Sequence, residues 1–255
     1  MLKTLIHALL ICLSTYTRLP VPQASWTTEN QRYALCFLPL AGLVPGLLAG
    51  TCIHVTTRLH AGGVLTGAAA CLMVALSTGG IHMDGLMDTA DALASWQPRE
   101  KRLAILRDSH VGAFAVLTCG IALLLVAGLF ADLTDRSVCS IAACFVLSRA
   151  AGVLSLTLVP QARPGSMLDG FVQAQARPAL MASSAGSILA AEALLLAGEG
   201  AVCALCCLLA VAVAFFYQVR RMKRDFGGTT GDLTGALITL CELSALAGLW
   251  IGGRW

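Results

Sequence analysis

The chain has 255 residues, 57% of them hydrophobic and only 12% charged, with a mean hydropathy of +0.79 and a formal net charge of +3. A soluble domain carries about 25% charged residues, so this chain cannot clothe a water-facing surface. The same numbers exclude a disordered polypeptide and a disulfide-stapled secreted module, and a charge this slight gives no reason to expect nucleic acid. What remains is an all-α, multi-pass transmembrane helical bundle.

A bilayer core needs about 20 mostly apolar residues per helix. Candidate spans fall near 2–17, 34–55, 62–80, 112–131, 138–158, 179–197, 201–219 and 233–251. That makes about eight, with seven or nine also compatible, in one membrane domain covering 1–255. The first span has only Lys3 ahead of it and no small-x-small cleavage site before Arg18, so an uncleaved helix is expected there rather than a signal peptide. The 11 cysteines are odd in number and lie almost all in apolar runs. They read as small buried residues of membrane helices, not as zinc or disulfide frameworks.

Eight spans gather the connections 18–33, 81–111, 159–178 and 220–232 on one side. That side holds 12 of the 17 basic residues, whereas only Lys3, Arg58, Arg136 and Arg254 fall on the other and Arg149 lies within a span. The positive-inside rule makes the rich side cytoplasmic. Nearly all motif-like sequence lies in these connections, chiefly 81–111 and 220–232, so the chemistry is expected to face the cytoplasm.

The first motif is Gly79-Gly80-Ile81-His82-Met83-Asp84-Gly85-Leu86-Met87-Asp88-Thr89-Ala90-Asp91-Ala92. Asp84, Asp88 and Asp91 stand at i, i+4 and i+7, within about 60° of one helix face. No Lys or Arg occupies an intervening position to relieve their repulsion, which a divalent cation would do. Oxygen ligands alone suit Mg²⁺, or Mn²⁺, better than zinc. A solvated helix start favoured by its dipole is the plainer alternative, though such a surface would not otherwise be rich in Met, Leu and Ala. His82 projects away from the three acids, which suggests a substrate contact or a supporting role.

Further along, Leu106-Arg107-Asp108-Ser109-His110 offers Arg107 as a phosphate clamp. Asp108 is either a further metal ligand or the partner of Arg107, and His110 reads as an interface residue. The third motif is Asp225-Phe226-Gly227-Gly228-Thr229-Thr230-Gly231-Asp232, preceded by Arg220, Arg221, Lys223 and Arg224. Gly227 and Gly228 permit close backbone approach, and Thr229 and Thr230 supply hydroxyls for an anion-binding nest at a helix start. Asp232 is either the N-cap of the last span or a carboxylate that completes a metal site. Asp225, beside four cations, reads as an ordinary ion pair, and Glu29, Glu100 and Asp169 are the other acids expected on this side. Glu242 in the last span is an intramembrane acid with Arg149 as its most plausible partner.

These blocks, with Thr17-Arg18-Leu19-Pro20-Val21-Pro22, Phe37-Leu38-Pro39-Leu40-Ala41-Gly42 and Leu233-Thr234-Gly235-Ala236, resemble the cobalamin synthase family, the adenosylcobinamide-GDP ribazoletransferases. They keep the family's order across most of the chain. Two positions depart from the family pattern: Ala92 stands in place of Gly, and His110 in place of Arg. The resemblance implies a multi-pass inner-membrane enzyme of the last steps of cobalamin synthesis. It would join adenosylcobinamide-GDP to α-ribazole or its 5′-phosphate, release GMP and require Mg²⁺. It also implies Asp84, Asp88 and Asp91 as catalytic and metal-binding residues, with Asp91 as the guessed proton acceptor. Asp108 and Asp232 are further expected ligands, and Arg18, His82, Arg107, Gly227, Gly228, Thr229 and Thr230 are expected to contact substrate. Membrane lipid surrounds such a protein, and a homo-oligomer is left open. Two rival classes remain: a CDP-alcohol phosphotransferase of lipid synthesis, whose second acidic run is missing here, and a membrane transporter, whose coupling acids usually sit near the bilayer midplane.

Overall fold

The computed structural model describes residues 1–163 and 176–255. Helices α1 (Leu2–Tyr16), α2 (Thr28–Gln31), α3 (Leu38–Ala41), α4 (Leu43–Arg58), α5 (Gly63–Thr78), α6 (Ile81–Ala94) and α7 (Arg99–Ile105) build the first half. Helices α8 (Ala113–Asp132), α9 (Val138–Leu158), α10 (Arg177–Glu199), α11 (Ala201–Arg221) and α12 (Gly231–Gly252) build the second. A 3₁₀ turn (Ala34–Phe37) precedes α3 and a π turn (Met222–Phe226) extends α11. Among the described residues no strand forms; one isolated parallel bridge joins Gln161 to Thr229.

Every one of the eight expected spans is helical. Six helical segments are long and apolar enough to cross a membrane: Thr28–Arg58, α8, α9, α10, α11 and α12. The pair α5 and α6, bent by 95°, makes a seventh if counted as one span. The remaining segment, α1, has 15 residues, about 22 Å at 1.5 Å per residue, against a hydrocarbon core of roughly 30 Å. Thr4 near its start hydrogen-bonds Glu29, so α1 lies beside α2 rather than standing alone as a full span.

Helix α9 is the central post, buried along nearly its whole length. Against it α4 and its N-cap present Gly42, Gly46 and Gly50, one every turn. A methyl on Gly42 would press on the Phe145 carbonyl, on Gly46 on Ala142, and on Gly50 on Val138, so backbones meet as small residues allow in membranes. The main core joins Ile53, Phe130, Phe145, Leu147, Leu237 and Leu249. A smaller cluster of Ile11, Leu35, Leu38, Leu156, Leu180 and Ile238 packs toward the Arg18 end. Buried Arg149 of α9 pairs with Glu242 of α12 and lies over the Phe145 ring. All 11 cysteines are free, as their apolar settings suggested.

The two ends of the bundle differ. At one, Arg136 pairs with Glu199 at 2.8 Å, while Trp250 donates to Asp132 at 2.9 Å. At the other, residues from 18, 77–112, 159–163 and 225–235 converge, and the motifs lie there.

Candidate active site

The break between α5 and α6 places the acidic helix. Gly79 ends α5 with φ 66°, and Gly80 begins α6 with φ 77°. Two successive left-handed residues are cheap only for glycine, and they turn the chain so that α6 runs across the end of α5. The Arg18 N–H donates to the Ser77 carbonyl at 2.7 Å, and its guanidinium covers Gly79.

Helix α6 then crosses the start of α12. Gly85 touches the Asp232 backbone so closely that a methyl group there would collide with the Asp232 carbonyl, and Gly235 lies under His82 in return. This contact brings Asp232 to the acidic face. Asp88 lies within electrostatic reach of Asp84, Asp232 and Asp91. None of these four carboxylates makes an ion pair among the described residues, although Asp232 feels the positive charge of Arg163. The N-cap of α12 is Thr230, whose hydroxyl accepts from the Leu233 N–H at 3.3 Å. Asp232 is therefore not the cap; it lies in the first turn, where its Oδ2 meets the Thr230 hydroxyl at 3.5 Å.

A cavity of about 400 Å³ opens between α1, α6, α9 and α12. Tyr16, His82, Asp84, Arg107, Arg163, Thr230 and Asp232 line it, with Leu38, Leu106, Leu156 and Ile238 as an apolar wall. The His82 ring is buried and stacks on Tyr16 at 5.9 Å between centroids. A second, wider cavity of about 620 Å³ lies on the other side of the first turn of α6. It is lined by Ser14, Thr17, Arg18, Thr78, Gly79, Gly80 and Met87, and it shares Thr15, Ile81 and Asp84 with the first.

Two expected residues and the glycine loop are placed differently. Asp91 faces α8: its Oδ2 accepts from the Gly112 N–H at 2.6 Å and its Oδ1 from the Ala115 N–H at 2.8 Å. It closes the helix start that Gly112, with no side chain, cannot cap, so neither oxygen is free in the way a general base requires. Asp108 pairs with His110 in an exposed loop, Oδ1 to Nδ1 at 2.6 Å. Hydrogen bonds from the His110 side chain and N–H hold its carboxyl below the usual range, and it lines neither cavity. The glycine loop is a brace more than a nest. Arg99 covers Gly227, Gly228 packs against the chain at Pro160–Ala162, and the buried Thr229 hydroxyl meets that of Thr234 at 3.0 Å. Asp225 is held by Arg102, Arg221 and Arg224, an ion-pair cluster as expected. Asp169 lies outside the described residues.

Sequence reading missed Arg163 and Tyr16. Arg163 donates to the Leu103 carbonyl, while its Nε is buried without a partner among the described residues. Burial first, then the nearby charge of Arg107, holds its pKa below the ordinary guanidinium range. Its signal was faint: one cation after the apolar run of α9, indistinguishable from a positive-inside anchor.

A family model described as cobalamin-5-phosphate synthase matches residues 8–250. The chain belongs to this family. Curated relatives named adenosylcobinamide-GDP ribazoletransferase agree along nearly the whole length. The protein of Lachnoclostridium phytofermentans is 36% identical over 240 residues, 94% of this chain and 92% of the relative. That of Azorhizobium caulinodans is 34% identical over 250 residues, 94% and 93% of the two chains. That of Desulfitobacterium hafniense is 32% identical over 244 residues, 93% and 94%. No solved structure matches this member of the cobalamin-5-phosphate synthase family.

Among the described residues no three His, Cys, Asp or Glu side chains already stand close enough to hold one ion. Mg²⁺ does not require three, since it is commonly held by one or two carboxylates, with water and phosphate oxygens in its other positions. Asp84 and Asp88, adjacent on one helix face and without a cation partner among the described residues, fit that manner of binding.

Proposed function

We propose that this membrane enzyme transfers the cobinamide phosphoryl group of adenosylcobinamide-GDP to a hydroxyl of α-ribazole or its 5′-phosphate, with release of GMP. The observation that carries this reading is the convergence of Asp84 and Asp232 with Arg107 and Arg163 around one cavity, with Asp88 within electrostatic reach of both carboxylates. Among the described residues these carboxylates and cations form no salt bridge with one another, although Asp232 feels the charge of Arg163, an arrangement suited to a metal-bound, phosphate-rich ligand.

In such a transfer the acceptor oxygen forms a bond to phosphorus, and the P–O–P bond to GMP breaks. Asp84 and Asp88 would hold the Mg²⁺, with Mn²⁺ as an alternative, and Asp232 would approach it from α12. When bound, the ion neutralises charge on the diphosphate and supports an in-line displacement. Arg107 and Arg163 bind the phosphate charge left over. Asp232 lines the cavity and is the carboxylate placed to take the hydroxyl proton, a role that Asp91, engaged with α8, does not have. His82, stacked on Tyr16 and backed by α12, holds one wall in place.

The basic asymmetry supports an inner-membrane protein with this site on the cytoplasmic face, where nucleotide substrates are found. The test is incubation of the purified enzyme with adenosylcobinamide-GDP, α-ribazole 5′-phosphate and Mg²⁺. GMP and a cobamide product should appear in equal amounts and cease with excess chelator. Absence of GMP release under all metal conditions would reject the reading.

A further inference from the structure

The two cavities have different chemistry, and they meet at one carboxylate. The smaller is walled by Leu106, Leu156 and Ile238, with Arg107 and Arg163 as its cations. The wider has no aliphatic wall of this kind. Hydroxyls of Ser14, Thr17 and Thr78 and the backbone at Gly79 and Gly80 surround a single cation, Arg18. Asp84 borders both.

An in-line displacement needs the attacking oxygen and the leaving group on opposite sides of phosphorus. A carboxylate that holds the metal from between two cavities meets that need if one cavity receives the acceptor and the other the leaving nucleotide. The acceptor joins an apolar benzimidazole ring to a ribose that carries a phosphomonoester. The donor's departing half is a polar guanosine phosphate, and its corrin is too bulky to be enclosed and must remain in the open.

We infer that the smaller cavity takes the ring-bearing acceptor, with its phosphate on Arg107 and Arg163, and that the wider cavity takes the guanosine diphosphate end of the donor beside Arg18. The aliphatic wall excludes water from the benzimidazole, as small-molecule pockets do. The buried Nε of Arg163, without a partner among the described residues, finds its acceptor in the phosphate. This assignment rests on the proposed reaction and makes Arg163 a substrate-binding residue that sets acceptor affinity.

The experiment is a KM comparison by GMP release on the purified full-length enzyme. Arg163→Gln should raise KM for α-ribazole 5′-phosphate by roughly tenfold or more, the loss of one charge-assisted hydrogen bond. KM for adenosylcobinamide-GDP should stay within about twofold, and the defect should shrink when free α-ribazole is the acceptor. Arg163→Lys should recover most of the loss. Arg18→Gln should do the reverse, raising KM for the donor and sparing the acceptor. Exchanged patterns, or equal effects of both variants on both substrates, would overturn the assignment. A wild-type enzyme that releases no GMP would instead refute the reaction itself.

Discussion

Asp91→Ala removes both acceptors that close the start of α8. Each is a carboxylate oxygen on a backbone N–H, at 2.6 and 2.8 Å, and hydrogen bonds to a charged group contribute about 1.5–3 kcal/mol. The side chain is half-buried, so the lower end applies, and the two together give roughly 3 kcal/mol, including the cap and dipole contribution. Asp91→Asn keeps one acceptor oxygen and should lose about half of that. Thermal unfolding in detergent, followed by tryptophan fluorescence, should rank wild type, Asn and Ala in that order. At a temperature where Asp91→Asn stays folded, the Mg²⁺ concentration for half-maximal rate should match wild type. Gly112→Ala should behave like Asp91→Ala, because a methyl there would lie 2.6 Å from Oδ2. The reasoning fails if Asp91→Asn melts like wild type yet needs far more Mg²⁺, since Asp91 would then be a metal ligand.

The first-turn position of Asp232 gives a contrast with Asp225: Asp232→Asn should lower turnover by at least about tenfold and raise the Mg²⁺ requirement, whereas Asp225→Asn should cost mainly stability. Equal kinetics in the two variants would remove Asp232 from the site. Glu242→Ala should destabilise the bundle by about 3–5 kcal/mol by leaving Arg149 unpaired, and Arg149→Met with Glu242→Leu should restore most of it. Chemical denaturation in detergent reads both, and a double variant as weak as the single one would show that mutual neutralisation is not the pair's role. Cytoplasmic exposure of the loop before α7 is checked by placing a cysteine at Gln97 in a cysteine-free background. A membrane-impermeant reagent should label it only after the cells are opened; labelling of intact cells would reverse the orientation.

Much of this was legible in the amino acids. Apolar runs located all eight helical segments, because a membrane helix needs only local composition to declare itself. The shared face of Asp84 and Asp88 followed from helical spacing, and the scarcity of other loop acids pointed to Asp232. Periodicity places residues on a face but does not say what the face meets. Asp91 shares its face with Asp84, yet the start of α8, more than twenty residues on, claims both of its oxygens. Asp108 was read with Arg107, its neighbour in sequence, while the loop turns it toward His110. Gly227 and Gly228 have the composition of a phosphate nest, and only packing against Arg99 and the 160–162 segment reveals a brace. Arg163 looked like any cation at a membrane boundary until α12 brought Asp232 beside it.

The Arg149–Glu242 pair also bears on how the protein is made. Synthesis delivers Arg149 in the middle of α9 long before Glu242 emerges in α12. Until then the chain carries an uncompensated cation at mid-depth, at a cost of about 2.5–3.5 kcal/mol on insertion scales. The same late helix supplies Asp232. One helix, α12, thus brings both the partner of Arg149 and the carboxylate that meets the Asp84 face.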